Sequence, residues 1–177
     1  MKLDEESVNF LVVTPYTKRL GIAVFQDGEL VYFGVKTFQR PRTIDSISEE
    51  TTEKLTELID EFKPRLVILK SLTMNQAGSE KHRQVAGTIR NVVKIAGVRG
   101  EERSFEDARR DLVTEDKPSK KNLFAILCKL YSQLARFIQF QNRSQEEYYT
   151  PMLAAITIGV AYSQDNPQYR TLRARDG

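Results

Sequence analysis

FLVVTPYTKRLGIAVFQDGELVYFGVK, Phe10 to Lys36, is the stretch whose reading decides the fold. Residues 8–14 (VNFLVVT) form an unbroken apolar run rich in branched side chains, as a strand buried on both faces requires. Residues 21–26 (GIAVFQ) and 29–36 (ELVYFGVK) flank Asp27-Gly28. That dipeptide tolerates positive φ at both central positions of a tight turn and so closes hairpins. The stretch therefore predicts three strands, with the second and third antiparallel and the first beside the second.

Downstream the apolar period changes. Ile44, Ile47, Leu55, Leu58, Ile59 and Phe62 recur mostly at three and four, the spacing of one helix face. Ser46 with Glu49 offers a capping box, and Pro64 closes the segment. PRLVILK supplies a fourth strand over 65–70, parallel to the first through a right-handed crossover. A second helix is predicted over about 78–95, with Val85, Ile89, Val92 and Val93 inward, and a weaker strand over 97–105. EDARRDL gives a short helix, residues 115–122 a polar loop and cap, and residues 120–140 a long helix. The last helix, 151–163, is expected to begin at Pro151, because proline is best tolerated in a first turn. A meander followed by alternating units predicts an α/β fold. Its mixed five-stranded sheet has order 3-2-1-4-5 and helices on both faces, a ribonuclease H-like architecture.

The chain has 177 residues, 27 basic and 24 acidic, for a net charge of +3. This suits one domain, 1–165, with 166–177 expected as a flexible tail. The mild basic bias permits nucleic-acid contact without demanding it. The start, MKLDEESVNF, has acids where a signal peptide needs a basic end, and no apolar run is long enough for a membrane span. A cytoplasmic protein is the expectation. Cys128, the single cysteine, excludes an intrachain disulfide and a cysteine-rich zinc site and reads as a buried helix residue.

On this frame the chain resembles the RuvC-type Holliday-junction resolvases over nearly its whole length. The opening turn in that family reads like IDPGSRxTGxGV; here it is VTPYTKRLGIAV, with Thr14 in the place of the aspartate. ILKSLTMNQAGSEKHRQVAGTIRNVV follows the pattern after the fourth strand, with Lys70 in the place of a glutamate. YTPMLAAITIGVAY resembles the final helix, whose aspartate maps to Leu153 or one residue earlier, Met152.

The resemblance implies two divalent cations held by those acids for phosphodiester cleavage. A neutral hydroxyl is a poor substitute for a carboxylate around magnesium, and a hydrocarbon offers nothing. An ammonium about 4 Å from a divalent ion is repelled by roughly 8 kcal/mol at an effective dielectric near 20. The expectation is a catalytically silent domain with no metal and no cofactor, binding DNA or a protein partner in recombination or repair. The alternative is a structure-specific endonuclease using displaced acids such as Glu80 or Asp107. Members of the family dimerise, which leaves a homodimer as one option.

Candidate phosphate contacts are Lys18 and Arg19 on the first turn, Lys70 at the strand mouth, Lys81 and Arg83 opening the second helix, and Lys117, Lys120 and Lys121 beginning the long helix. Arg40 and Arg42 precede the first helix, and His82 reads as a surface residue. Tyr16 is a candidate for stacking on a base or for filling the emptied metal position; Tyr148 and Tyr149 are expected to pack against the last helix. The resemblance places Thr73 where the family carries a junction-stacking aromatic.

Overall fold

The computed structural model describes residues 9–40, 43–113, 119–139 and 142–169. Strands β1 (Asn9–Pro15), β2 (Arg19–Gln26), β3 (Glu29–Thr37), β4 (Leu66–Lys70) and β5 (Arg99–Arg103) form one sheet of order β3-β2-β1-β4-β5, as the sequence predicts. β1 pairs antiparallel with β2 and parallel with β4, and β4 pairs parallel with β5. Asp27 and Gly28 take positive φ at the β2–β3 turn, the backbone geometry a primed hairpin needs.

Side chains of β1 alternate between two cores. Phe10 and Val12 join Phe25, Leu123, Leu127 and the long run Met152 to Tyr162. Leu11 and Val13 join Ile47, Leu55, Val85 and Ile89. Helices α1 (Ile44–Phe62) and α3 (Glu80–Ile95) therefore cover one face, while α4 (Phe105–Leu112), α5 (Lys120–Leu130) and α7 (Arg143–Asp165) cover the other. This accounts for the unbroken apolar run of β1: with helices on both sides, no position of a central strand meets water.

Several local expectations are corrected. Thr43, not Ser46, caps α1 and accepts from the Ser46 amide, so the Ser46–Glu49 box does not form. Glu50, which the apolar period gave no reason to bury, accepts from the backbone amides of Gln39 and Arg40. The second helix is two: α2 (Met74–Ala77), then α3, capped by Ser79. The long helix ends at Leu130, because Tyr131 turns to φ −135° and sets its ring edge-on to Phe25. A 3-10 turn (Ser132–Leu134) and a short α6 (Ala135–Ile138) follow. Cys128 lies on α5 but is only half-buried.

The largest correction concerns the last helix. α7 begins at Arg143, with Asn142 as its cap, and runs 23 residues with Pro151 inside it. Proline cannot donate to the carbonyl four residues back and normally costs about 3 kcal/mol in a helix interior. Here its neighbours Met152 to Tyr162 are all buried, and packing of that run against the sheet outweighs the local penalty.

Candidate functional site

The site lies at the carboxyl ends of β1 and β4, where open α/β sheets commonly receive ligands. Val13 is in register with Leu69, so Thr14 and Lys70 are the next residue on each strand. Both share the phase of Phe10, Val12, Leu66 and Ile68, which face α7. The fold thus brings Thr14 and Lys70 together and sets α7 against them.

Each group is committed to a protein partner. The Thr14 hydroxyl, fully buried, donates to the Pro151 carbonyl at 2.6 Å. Gly21, opposite Thr14 on β2, makes that approach feasible: a Cβ there would lie 1.9 Å from the Pro151 oxygen and 2.3 Å from Thr14 Oγ1. Lys70 is 3% exposed. Its ammonium donates to Gln76 Oε1 at 3.1 Å and sits 5.5 Å from the Tyr16 ring centre. Lys70 is therefore not presented to outside phosphates as the sequence reading expected; its side chain is folded back under the strand mouth.

Gln76 is the residue sequence reading missed. Its side-chain oxygen also accepts from the Thr73 amide, while the Thr73 hydroxyl accepts from the Gln76 amide. Thr73, placed by the resemblance where a stacking aromatic would stand, instead caps α2. The T-x-x-Q pattern of a capping box was legible in Thr73–Gln76; that its glutamine would also hold a lysine was not.

The titrating groups record the burial. Burial pushes the Lys70 amine below its ordinary value, and the Glu106 carboxylate partly offsets this. Burial raises the Tyr16 phenol. His82, expected at the surface, is half-buried; burial lowers its imidazole and the Lys70 charge lowers it further. Its Nδ1 is buried with no hydrogen-bond partner.

A pair of divalent cations does not fit this donor set. The groups at the strand ends are a hydroxyl already donating, an ammonium, a backbone carbonyl, and the buried apolar Met152 and Leu153; the one carboxylate that acts on Lys70, Glu106, is paired with Arg109 at 2.6 Å. Leu153 lines a small cavity with Phe105, Leu123 and Phe124, so α4 and α5 surround it. Among the described residues no three His, Cys, Asp or Glu side chains are placed to hold a metal ion.

The basic candidates differ in how free they are. Lys18 is exposed, and neither it nor Arg19 has an ion pair among the described residues. Lys81 and Lys121 are exposed. Arg83 donates to the Ala77 carbonyl at 2.6 Å, which ties it to the end of α2. Lys120 pairs with Glu146 at 3.0 Å and joins α5 to α7. Arg40 is held by Glu49 and Glu53. Lys117 and Arg42 lie outside the described residues.

Among solved structures the chain is similar to Thermus thermophilus RuvC, with a TM-score of 0.66 and 12% identity over 88% of this chain and 93% of that one. It is similar to T. thermophilus RuvC in complex with Holliday junction substrate, with a TM-score of 0.68 and 13% identity over the same shares. It is also similar to the yeast mitochondrial Holliday junction resolvase Ydc2, with a TM-score of 0.63 and 9% identity over 90% of this chain and 79% of that one. No protein-family model matches the chain. No curated protein matches it in sequence. The fold is that of the RuvC-type resolvases. Among the described residues, no helix is long and apolar enough to cross a membrane.

Proposed function

We propose that this chain is a nucleic-acid-binding module that keeps the resolvase fold and has given up two-metal strand cleavage, in the setting of recombination or repair. The observation that carries this reading is the buried Lys70 ammonium, hydrogen-bonded to Gln76 beside a Thr14 hydroxyl already donating to Pro151. A positive charge locked where a cation pair would need carboxylates opposes metal binding. The fold likeness extends to RuvC solved with a Holliday junction, and the exposed Lys18, Lys81 and Lys121 are the side chains we assign to phosphate contacts. The reading treats residues 1–165 as one domain and 166–177 as an appendage.

The displaced-acid nuclease has less support. Glu80 is exposed at the start of α3, and Asp107 pairs with Arg110 at 3.7 Å. Asp107 lines a shallow depression with Asp111 and Asp165, yet no metal-holding group of three forms among the described residues.

The test combines binding and cleavage. Labelled junction, duplex and single-stranded DNA are titrated with the full chain over a salt series, then incubated with Mg²⁺ or Mn²⁺. Binding that weakens as salt rises, with every substrate left intact, is the expected result. Cleavage abolished by EDTA would overturn the silent reading. A flat response to all substrates at low salt would overturn nucleic-acid binding and leave a protein partner, a second copy included.

A further inference from the structure

A cavity of about 290 Å³ opens between the β1–β2 turn and the first half of α7. It is lined by Tyr16, Thr17, Lys18, Arg19, Glu147, Thr150 and Pro151. Its volume lies at the lower edge of the range for small-ligand sites, about 300–1,000 Å³. That is room for one flat group and its sugar rather than for a duplex step.

The chemistry of the walls is uneven. Tyr16 gives one aromatic wall, its ring in contact with the buried Lys70 ammonium. The Arg19 guanidinium lies over the Tyr148 ring at 4.9 Å, a second planar surface beside the opening. Tyr148 is held from behind: Tyr149 meets it edge-on at 4.9 Å, Phe137 meets Tyr149 at 5.6 Å, and Phe33 of β3 meets Phe137 at 5.4 Å. This chain of rings fixes the shelf before any ligand arrives, so little ordering cost falls on binding. The one carboxylate in the wall, Glu147, is bonded by Arg143 at 3.1 Å, which leaves the Lys18 and Arg19 charges uncompensated.

From this geometry we infer that the cavity is a single-nucleotide pocket: it receives one unpaired base from a single-stranded segment, stacked on the Arg19–Tyr148 shelf, with the adjoining phosphate held by Lys18 and Arg19. The inference rests on the nucleic-acid reading of the same mouth and narrows it to unpaired nucleotides. Planar arginine and tyrosine surfaces accept any base through its π-face, so the pocket selects single strands over duplex without selecting sequence. Thr17 and Thr150 add polar groups within the wall for the base edge.

The experiment uses the full chain in two arms. In the first, backbone amide shifts are mapped while thymidine monophosphate, thymidine and inorganic phosphate are added separately. Shifts centred on Thr17, Arg19, Tyr148 and Thr150, larger for the monophosphate than for either fragment, are expected. The same pattern with inorganic phosphate alone, or no shifts, overturns the pocket. In the second arm, Arg19→Lys, which keeps the charge and removes the plane, and Tyr148→Ala are titrated with a short oligothymidylate and with duplex. Single-strand affinity is expected to fall about fivefold or more while duplex affinity changes far less. Equal losses on both substrates overturn the pocket and leave the general binding reading intact. Wild-type chain that binds neither substrate overturns both.

Discussion

Thr14 Oγ1 donates to the carbonyl of Pro151 across 2.6 Å and ties the end of the first strand to the interior of the last helix, 137 residues away in sequence. The oxygen Thr14 meets belongs to the backbone, so the contact does not depend on any side chain of α7. It depends on how closely α7 approaches, and Gly21 sets that distance.

Gly21→Ala is expected to destabilise the chain by about 3 kcal/mol or more, because the new methyl would overlap a backbone carbonyl that cannot rotate away. Thr14→Val loses the hydrogen bond and sets a methyl against the same carbonyl, about 1–3 kcal/mol. Thr14→Asp sets a carboxylate against the same carbonyl and is expected to cost more than Val at neutral pH. Urea unfolding of the three variants checks the order; Gly21→Ala with a wild-type midpoint would contradict the packing described.

Lys70→Met is expected to be neutral or stabilising by about 1 kcal/mol at neutral pH, since a buried ammonium held by the Gln76 side-chain oxygen and, at 3.5 Å, the Ser71 carbonyl, with no carboxylate bonded to it among the described residues, is replaced by a chain of similar shape. The sign of the pH dependence follows from the lowered folded-state value. Between that value and the ordinary 10.5, the unfolded chain holds more protons, so Lys70 makes stability rise with pH there. Above about 10, the raised Tyr16 phenol acts oppositely. The substitution should flatten the Lys70 slope, measured by thermal unfolding across pH. It should also let the His82 imidazole titrate at higher pH, because one of the two causes depressing it is gone.

Glu50 is 3% exposed and accepts two backbone amides that precede α1. Burial acts to raise its carboxyl, but the bonds from Gln39 and Arg40 and the nearby Lys54 and Arg40 charges hold it below the ordinary 4.5. Its contribution is present above the unfolded-state value and is lost as pH falls through the lower folded-state one. Glu50→Ala should cost about 2 kcal/mol at neutral pH and flatten the acid limb of the stability curve below pH 4.5. An unchanged acid limb would show that the carboxylate does not hold the segment.

In salt titrations of DNA binding, Lys18→Ala and Lys121→Ala are each expected to lower the slope of log affinity against log salt by about 1. Lys70→Met should leave that slope unchanged, because the ammonium is sealed under the mouth. A slope change at Lys70 equal to that at Lys121 would mean the mouth opens on binding.

The Asp27-Gly28 hairpin and the apolar run of β1 were legible because they are local, and the strand order because the sequence of elements and the crossover rule leave few arrangements. Alternation of side chains, turn chemistry and helix period are carried by residues within a few positions of one another. Only the tertiary structure decided that Pro151 sits mid-helix, that Tyr131 stops α5 to meet Phe25, that Lys70 turns inward to Gln76, and that Arg19 lies over the Tyr148 ring. Each of these is set by a partner that local pattern does not name. Packing against the sheet supplies enough burial energy to override a proline penalty or a solvated charge, and no window of sequence contains both sides of that balance.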